Sequence, residues 1–327
     1  MTRWGILGLG RIAHKFAQDL LTLPDAELYA VASTDAQRAA QFAAQYGVPH
    51  AFGRYDGLLT LPDLDVVYIA TPHVQHAANT LLCLRGKKAV LCEKPFGMHA
   101  DEVGQMIETA RSENVFLMEA LWTRFMPGMQ RALDLIRAGT IGRVQLIKAD
   151  FGFAAPFNPD GRLFNKTLGG GSLLDIGIYP LFLSYLVLGM PAQIQATATF
   201  GQTGVDEQCG MLLTYPDGAM ALLDSTLRAK TRTEAIIYGD AGTIHLPGRF
   251  HEPKTLVLER PDRDPETMRF ERPTIGYAYE ARHVMDCLRD GRTESPVWSL
   301  TDSQRLMDLL DAVRRQAGIR YDAVAGS

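Results

Sequence analysis

Three stretches of this chain combine groups able to bind phosphate, carry charge or move a proton. Near the start, Gly8-Leu9-Gly10-Arg11-Ile12-Ala13 follows the apolar run 4–7. This is a G-x-G-x-x-A pattern between a buried strand and a helix over 11–21. Gly8 permits a tight turn, Gly10 lets the backbone approach a pyrophosphate, and Ala13 keeps the helix close to the sheet. The free N–H groups and positive dipole end of that helix then hold the phosphates. Without a ligand, the same pattern is a plain strand-to-helix turn. The second stretch is Glu93-Lys94-Pro95, directly after an apolar strand over 89–92. At the carboxyl end of a parallel strand a lysine projects into the ligand crevice. Pro95 fixes the backbone behind it, with a cis bond as one way to do so. The alternative is a surface lysine at a strand end. The third stretch runs from Gly169 to Pro180, GGGSLLDIGIYP. Asp175 and Tyr179 are four apart and share a helix face in an otherwise strongly apolar helix over 172–188. A buried Asp needs a partner. The pair is either poised for proton transfer or is a structural cap beside a core tyrosine.

The elements needed to position these groups follow from periodicity. Over 1–120, strands (4–7, 27–33, 51–52, 66–70, 89–92, 115–119) alternate with helices (11–21, 35–46, 75–85, 99–113). Such alternation predicts a parallel, doubly wound sheet. In a dinucleotide unit an acidic residue about 20 positions past the glycines takes the ribose hydroxyls. Here Ser33-Thr34 occupies that place, with Asp35 late and Arg38 one turn into the next helix. Two hydroxyls and an arginine suit a 2′-phosphate, so NADP is favoured over NAD. The alternative is that Asp35 takes the ribose and Arg38 is solvated.

The rhythm changes after residue 120. A helix over 124–138 precedes a long strand over 144–153. After the apolar helix, strands are expected at 194–200, 210–215, 219–227, 234–238, 242–245 and 255–259. Pro216-Asp217-Gly218 is a hairpin signal. Ile194, Ala196, Ala198 and Phe200 alternate with polar residues, which predicts an antiparallel sheet with helices on one side. Late amphipathic helices are expected at 279–289 and 302–316. The organisation is therefore α/β followed by α+β. A doubly wound domain over 1–120 is joined to a domain over 121–327 on a mostly antiparallel open sheet, and helix 302–316 is free to pack back on the first domain.

Composition narrows the function classes. The 327 residues are 46% hydrophobic and 21% charged, with net charge −4. That balance is ordinary for a globular chain and gives no electrostatic case for nucleic acid. No run approaches ~18 apolar residues, and residues 4–9 are better used as a strand than as a signal peptide. Cys83, Cys92, Cys209 and Cys287 form no C-x-x-C pair and read as thiols of a reducing, cytoplasmic compartment. No metal enters this reading.

The order of GxGxxA, TPHVQH (71–76), EKP (93–95), MEALWTRF (118–125) and GGGSLLDIGIYP resembles the Gfo/Idh/MocA oxidoreductase family. The resemblance runs nearly the whole chain, including the tail ending GIRY. MEALWTRF and GGGSLLDIGIY are most similar to the dimeric dihydrodiol dehydrogenases, also described as NADP-dependent D-xylose dehydrogenases. The resemblance implies a Rossmann domain and hydride transfer between nicotinamide C4 and a hydroxyl-bearing carbon of a sugar or trans-dihydrodiol. It implies that Lys94 is the catalytic lysine, Tyr179 the acid/base and Asp175 the orienting acid. For the cofactor it implies contacts from Gly8, Gly10, Arg11, Ile12, Ser33, Thr34, Arg38, Thr71, Pro72, His73, His76, Glu93 and Lys94. It places Trp122, Arg124, Phe125 and Phe153 near the substrate, and implies a homodimer or higher homo-oligomer through the second-domain sheet. A tyrosine of pKa ~10 is a poor base at neutrality, so Lys94 is expected to stabilise its phenolate. The alternatives are a keto-sugar reductase of the anhydrofructose type, a glucose–fructose-type oxidoreductase, and a non-catalytic cofactor-sensing regulator.

Overall fold

The computed structural model describes residues 1–321. The chain divides into two compact units, one of Met1–Trp122 with Arg272–Gln304, the other of Thr123–Glu271 with the segment from Arg305.

The first unit is built on β1 (Thr2–Leu7), β2 (Ala26–Ala32), β3 (His50–Phe52), β4 (Val66–Ile69), β5 (Ala89–Glu93) and β6 (Leu117–Ala120). Every pairing is parallel, in the order β3-β2-β1-β4-β5-β6. The order reverses direction between β1 and β4, and the carboxyl ends of those strands open the ligand crevice of such sheets. All four residues of β4 and all five of β5 are buried, as strands covered on both faces require. Helices α1 (Arg11–Leu20), α2 (Ala36–Tyr46), α3 (His76–Arg85) and α4 (Ala100–Glu113) connect the strands. Helix α1 seats Phe16 flat on Tyr68 of β4, with ring centroids 3.8 Å apart.

The second unit contains α5 (Pro127–Arg137), β7 (Val144–Gly152), α6 (Ile178–Leu188) and the strands β8 (Gln193–Phe200), β9 (Asp206–Thr214), β10 (Met220–Thr226), β11 (Ala235–Gly239), β12 (Thr243–Leu246), β13 (Thr255–Glu259) and β14 (Glu266–Arg269). Its eight strands run in the order β14-β13-β12-β11-β7-β10-β9-β8. The β7–β10 pair is parallel and the others are antiparallel. The expected mostly antiparallel sheet is present. Two strand details differ from expectation. β9 starts at Asp206 rather than 210, because Asp206-Glu207-Gln208 is too polar to read as a strand although Asp206 is fully buried. β14 is a short, largely exposed edge strand with no apolar alternation. Helix α5 begins at Pro127 rather than 124. Pro127 is its first residue, and Trp122–Phe125 forms a 3₁₀ turn ahead of it.

The chain returns to the first unit through α7 (Tyr277–Arg289) and then enters α8 (Leu300–Ala317), in which the division falls between residues 304 and 305. The expected single second domain over 121–327 is thus interrupted by residues 272–304. The reason is a set of specific bonds. Asp19 of α1 accepts the N–H groups of Ile275, Gly276 and Ala278 at 2.9, 2.6 and 3.1 Å, capping α7 from outside. Trp298 donates its indole N–H to Glu119 at 3.1 Å. One segment, Lys166–Leu188, is long and apolar enough by composition to cross a membrane, but it is mostly buried inside the protein, as core helices are.

Glu119 also accepts the Phe96 N–H at 3.1 Å, so one carboxylate joins the Glu93–Phe96 loop to the returning segment. Burial raises its pKa to about 7. The folded form therefore holds a proton that the unfolded chain releases above its ordinary pKa of 4.5. Stability falls as pH rises from there to about 7, by on the order of 3 kcal/mol from this group. Glu119→Gln is expected to flatten that part of the stability-versus-pH curve in denaturant titrations. It also costs ~1–3 kcal/mol, because its amide turns a donor toward Trp298 or Phe96.

Candidate active site

In the first unit, Gly8 sits at φ +91°, and a Cβ there would lie 2.8 Å from the Thr71 methyl and 2.9 Å from the Thr71 nitrogen. Gly10 is different: nothing lies within 4 Å of the Cβ position. It is the N-cap of α1 and has no side chain to accept the first helical N–H groups. An open cradle at an uncapped helix N-terminus is what a pyrophosphate needs, so the residues fit a dinucleotide. Arg11 is exposed and Ile12 half-buried on this first turn. Ser33 is buried and its hydroxyl accepts the Asp35 N–H at 3.1 Å. One oxygen of Asp35 caps α2, accepting from Gln37 and Arg38. Thr34 and Arg38 are exposed beside it, with Arg38 3.8 Å from Asp35. The one acid at this strand end is thus already engaged in a cap.

Thr71, His73 and His76 are buried. The His76 ring lies between two carbonyls, Pro95 at 2.7 Å from Nδ1 and Thr71 at 2.9 Å from Nε2. Burial lowers its pKa to about 4, so the ring is neutral and donates its single N–H to one of the two while packing against the other. His73 lies edge-on to it at 5.7 Å, and Pro72 leads into this turn. The Glu93 carboxylate accepts the Tyr68 hydroxyl and, at 3.1 Å, the Lys94 N–H. Lys94 is half-buried at the end of β5, and the Lys94–Pro95 peptide is cis. Trp122 stacks on Tyr277 of α7 at 4.6 Å.

In the second unit the segment after the glycines is not one uniform helix. Leu173–Gly177 is a π-turn and α6 follows. Pro180 lacks the N–H that would close an α-helical bond to Ile176, and the widened turn just before it accommodates the loss. Asp175 lies in the π-turn and Tyr179 in the first turn of α6, both buried. Asp175 receives a two-pronged bond from Arg162, at 2.6 and 3.3 Å. The Tyr179 ring lies against Phe151 at 5.6 Å and His251 at 5.1 Å, and Phe151 stacks on His251 at 4.4 Å. Half-buried Phe153, one residue past the end of β7, lies edge-on to Phe151 at 6.5 Å. Arg124 and Phe125 are buried in the turn before α5.

Sequence reasoning missed Arg162, Phe151 and His251. Arg162 and His251 lie in irregular segments, where no periodicity marks a facing side chain. Phe151 carries a weak signal, two residues from Phe153 on one strand.

Both units are similar to known proteins. Residues 2–121 match a family described as "Oxidoreductase family, NAD-binding Rossmann fold", and residues 129–245 match the GFO/IDH/MocA C-terminal domain. The chain belongs to the Gfo/Idh/MocA oxidoreductase family. It is 38% identical to trans-1,2-dihydrobenzene-1,2-diol dehydrogenase of Xenopus tropicalis, with 98% of this chain and 99% of the relative covered. Among solved structures it resembles KijD10, a 3-ketoreductase from Actinomadura kijaniata in complex with NADP and TDP-benzene. The TM-score is 0.86 and the identity 28%, over 97% of this chain and 98% of that one. It also resembles aldose-aldose oxidoreductase from Caulobacter crescentus, with TM-score 0.88 and 25% identity over 97% of both chains.

The two glycines are expected to fail differently. Gly8→Ala meets backbone at a positive φ and lowers the melting temperature, by the equivalent of ~1–3 kcal/mol. Gly10→Ala melts as wild type but binds dinucleotide at least ~10-fold more weakly in a fluorescence titration, because its methyl fills the cradle.

Proposed function

We propose that the protein is an NADP-preferring dehydrogenase acting on a secondary hydroxyl of a trans-dihydrodiol or a sugar such as D-xylose. The observation that carries the reading is the setting of Tyr179. Its buried ring lies in an aromatic wall with Phe151 and His251, four residues along the chain from Asp175, which Arg162 holds. A flat apolar wall with a few polar groups suits a ring bearing vicinal hydroxyls. The 38% identity to a dihydrodiol dehydrogenase over nearly the full length supports the same class.

In this proposal Tyr179 takes the hydroxyl proton during oxidation and returns it during reduction. Lys94 contributes the positive charge that makes a phenolate accessible near neutral pH. Asp175, fixed by Arg162, orients the substrate hydroxyl. Nicotinamide, when bound, accepts or supplies the hydride. The α1 N-terminus holds the pyrophosphate, exposed Thr34 and Arg38 face the 2′-phosphate, and the 71–73 and 93–94 segments flank the nicotinamide ribose. NADP in the KijD10 complex, together with the capping role of Asp35, supports this preference. A second reading, reduction of a keto-sugar, is favoured by the likeness to a 3-ketoreductase. Retention of both Lys94 and Tyr179 speaks against a purely sensing role.

The proposed assembly is a homodimer through the second-unit sheet, where Met220 and Leu222 on one face of β10 and Phe200 on β8 are exposed. Large apolar side chains on an open sheet face favour burial against a second copy. The proposed compartment is the cytoplasm, in keeping with four free, buried cysteines.

Steady-state assays with NADP and NAD against a trans-dihydrodiol, D-xylose, D-glucose and a keto-sugar test the activity. Tyr179→Phe is expected to lower kcat at least ~100-fold while dinucleotide affinity stays within about two-fold. Wild-type turnover in Tyr179→Phe would overturn the reading. Leu222→Glu is expected to shift the particle from dimer to monomer mass in light scattering.

A further inference from the structure

The segment that carries Asp175 and Tyr179 begins without a cap of its own. Ser172 stands at the N-cap position, and its side chain makes no capping bond to the turn it opens. The acceptor comes instead from β9. Asp206 is fully buried and accepts the Leu173 N–H at 2.7 Å and the Ser172 hydroxyl at 2.9 Å on the same oxygen. Ser172 is also within hydrogen-bond distance of Ser225 on β10, at 3.0 Å. The π-turn is pressed against the same strand, since a Cβ on Gly177 would lie 2.9 Å from the Ser225 hydroxyl. The other Asp206 oxygen lies 2.2 Å from where a Cβ on Gly171 would be, and Gly171 has φ +124°. Only glycine fits so close to that carboxylate. From the far end of the chain, Tyr321 donates to the Gly170 carbonyl at 2.8 Å. The glycine loop and the first turn are thus fixed from β9, β10 and the C-terminal segment at once.

We propose that Asp206 is a positioning residue for the reaction: as a carboxylate it caps the start of the π-turn and so sets the direction in which Asp175 and Tyr179 are presented. The inference rests on the roles proposed above for those two residues. A carboxylate at an uncapped helix start gains from both the free N–H groups and the dipole, and a neutral acid there gains less.

Burial raises the Asp206 carboxyl to about 6. The titratable groups facing it are the Cys209 thiol on its own strand and the Tyr321 phenol of the C-terminal segment. Burial pushes Cys209 up to about 12 and holds Tyr321 well above its ordinary range. Neither titrates near neutrality. Arg314 of α8 lies over the Tyr321 ring at 4.9 Å, and Asp175 on the π-turn is engaged by Arg162. The facing groups of β10 and the helix start are the hydroxyls of Ser225 and Ser172. Asp206 is therefore the member of this cluster that changes charge between pH 5 and 7. As the pH falls through about 6 the cap is neutralised and turnover declines.

The test compares kcat and KM from pH 5 to 8 in wild type and Asp206→Asn, with amide hydrogen exchange of the peptide covering 172–179. Asn keeps the size and one acceptor, so it stands in for the protonated acid. Expected are a kcat reduced ~5–10-fold at pH 7.5, KM within about two-fold, loss of the acid limb near pH 6, and faster exchange over 172–179. Wild type at pH 5 is expected to show the same loss of protection once rates are divided by the intrinsic, base-catalysed exchange rate at each pH. A variant with wild-type kcat and an unchanged acid limb overturns the proposal. Tyr179→Phe is run alongside. Should Tyr179→Phe remain active while exchange still responds to Asp206→Asn, the site reading fails and the cap stands as a structural bond only. Should exchange over 172–179 not respond at all, the cap itself is refuted, whatever Tyr179→Phe does. Where Asp206→Asn folds poorly, Tyr321→Phe gives the second route. It removes the Gly170 bond from the same loop while leaving the Asp206 carboxylate, and the acid limb must then persist.

Discussion

Main-chain N–H groups at the start of a helix or the crest of a loop find no partner within their own segment, and here the partner is repeatedly a carboxylate brought from far along the chain. Asp19 serves the start of α7, Glu119 the loop after Lys94, Asp206 the turn before Asp175, and Asp150 the Thr233 and Glu234 amides. Each bond has a cost, because a carboxylate leaves water. Each is repaid by two or three N–H or O–H donors that need a charged acceptor. The raised values of Glu119 and Asp206 are the residue of that cost. Stability is given up at the places where loops bearing Lys94, Asp175 and Tyr179 must hold one shape.

This arrangement supports the motif segments with bonds from distant parts of the chain, some of them from other motifs. The GxGxxA turn, the EKP loop and the GGGSLLDIGIY segment carry the groups proposed to bind and react. None of them holds its own conformation. The His76 ring packs between the Thr71 and Pro95 carbonyls, and Arg162, thirteen residues earlier in the sequence, holds Asp175. In the proposed mechanism motif residues do the chemistry, while residues inside the motifs, such as His76, and outside them, such as Arg162, fix the segments that carry them.

The same division decides what could be read from the sequence. The parallel sheet of the first unit was legible because its strands are short apolar runs between amphipathic helices. The glycine roles were legible too, since Gly8 does adopt a positive φ and Gly10 does leave an open cradle. The start of β9 was not, because the buried acid that makes it important also makes it look like a loop. The π-turn was hidden because an apolar run containing Pro180 still satisfies a helical pattern. Arg162 and His251 sit where neither period operates. Their positions follow from tertiary packing alone, as does the return of residues 272–304 to the first unit.

That return has a bearing on how the protein is made. Residues 123–271 must be synthesised before Ile275, Gly276 and Ala278 exist to meet Asp19. At typical translation rates that delay is on the order of ten seconds. Through it, the face of α1 that α7 will cover stays open, and Glu119 lacks its Trp298 donor. The nascent first unit therefore has all six strands of its sheet but an uncovered α1 face, with Asp19 and Glu119 still wet, an intermediate exposed to aggregation. The second unit is likewise incomplete until Tyr321 emerges near the end of the chain. Each unit thus acquires its full set of bonds only after a later segment has been made, residues 275–298 for the first and Tyr321 for the second.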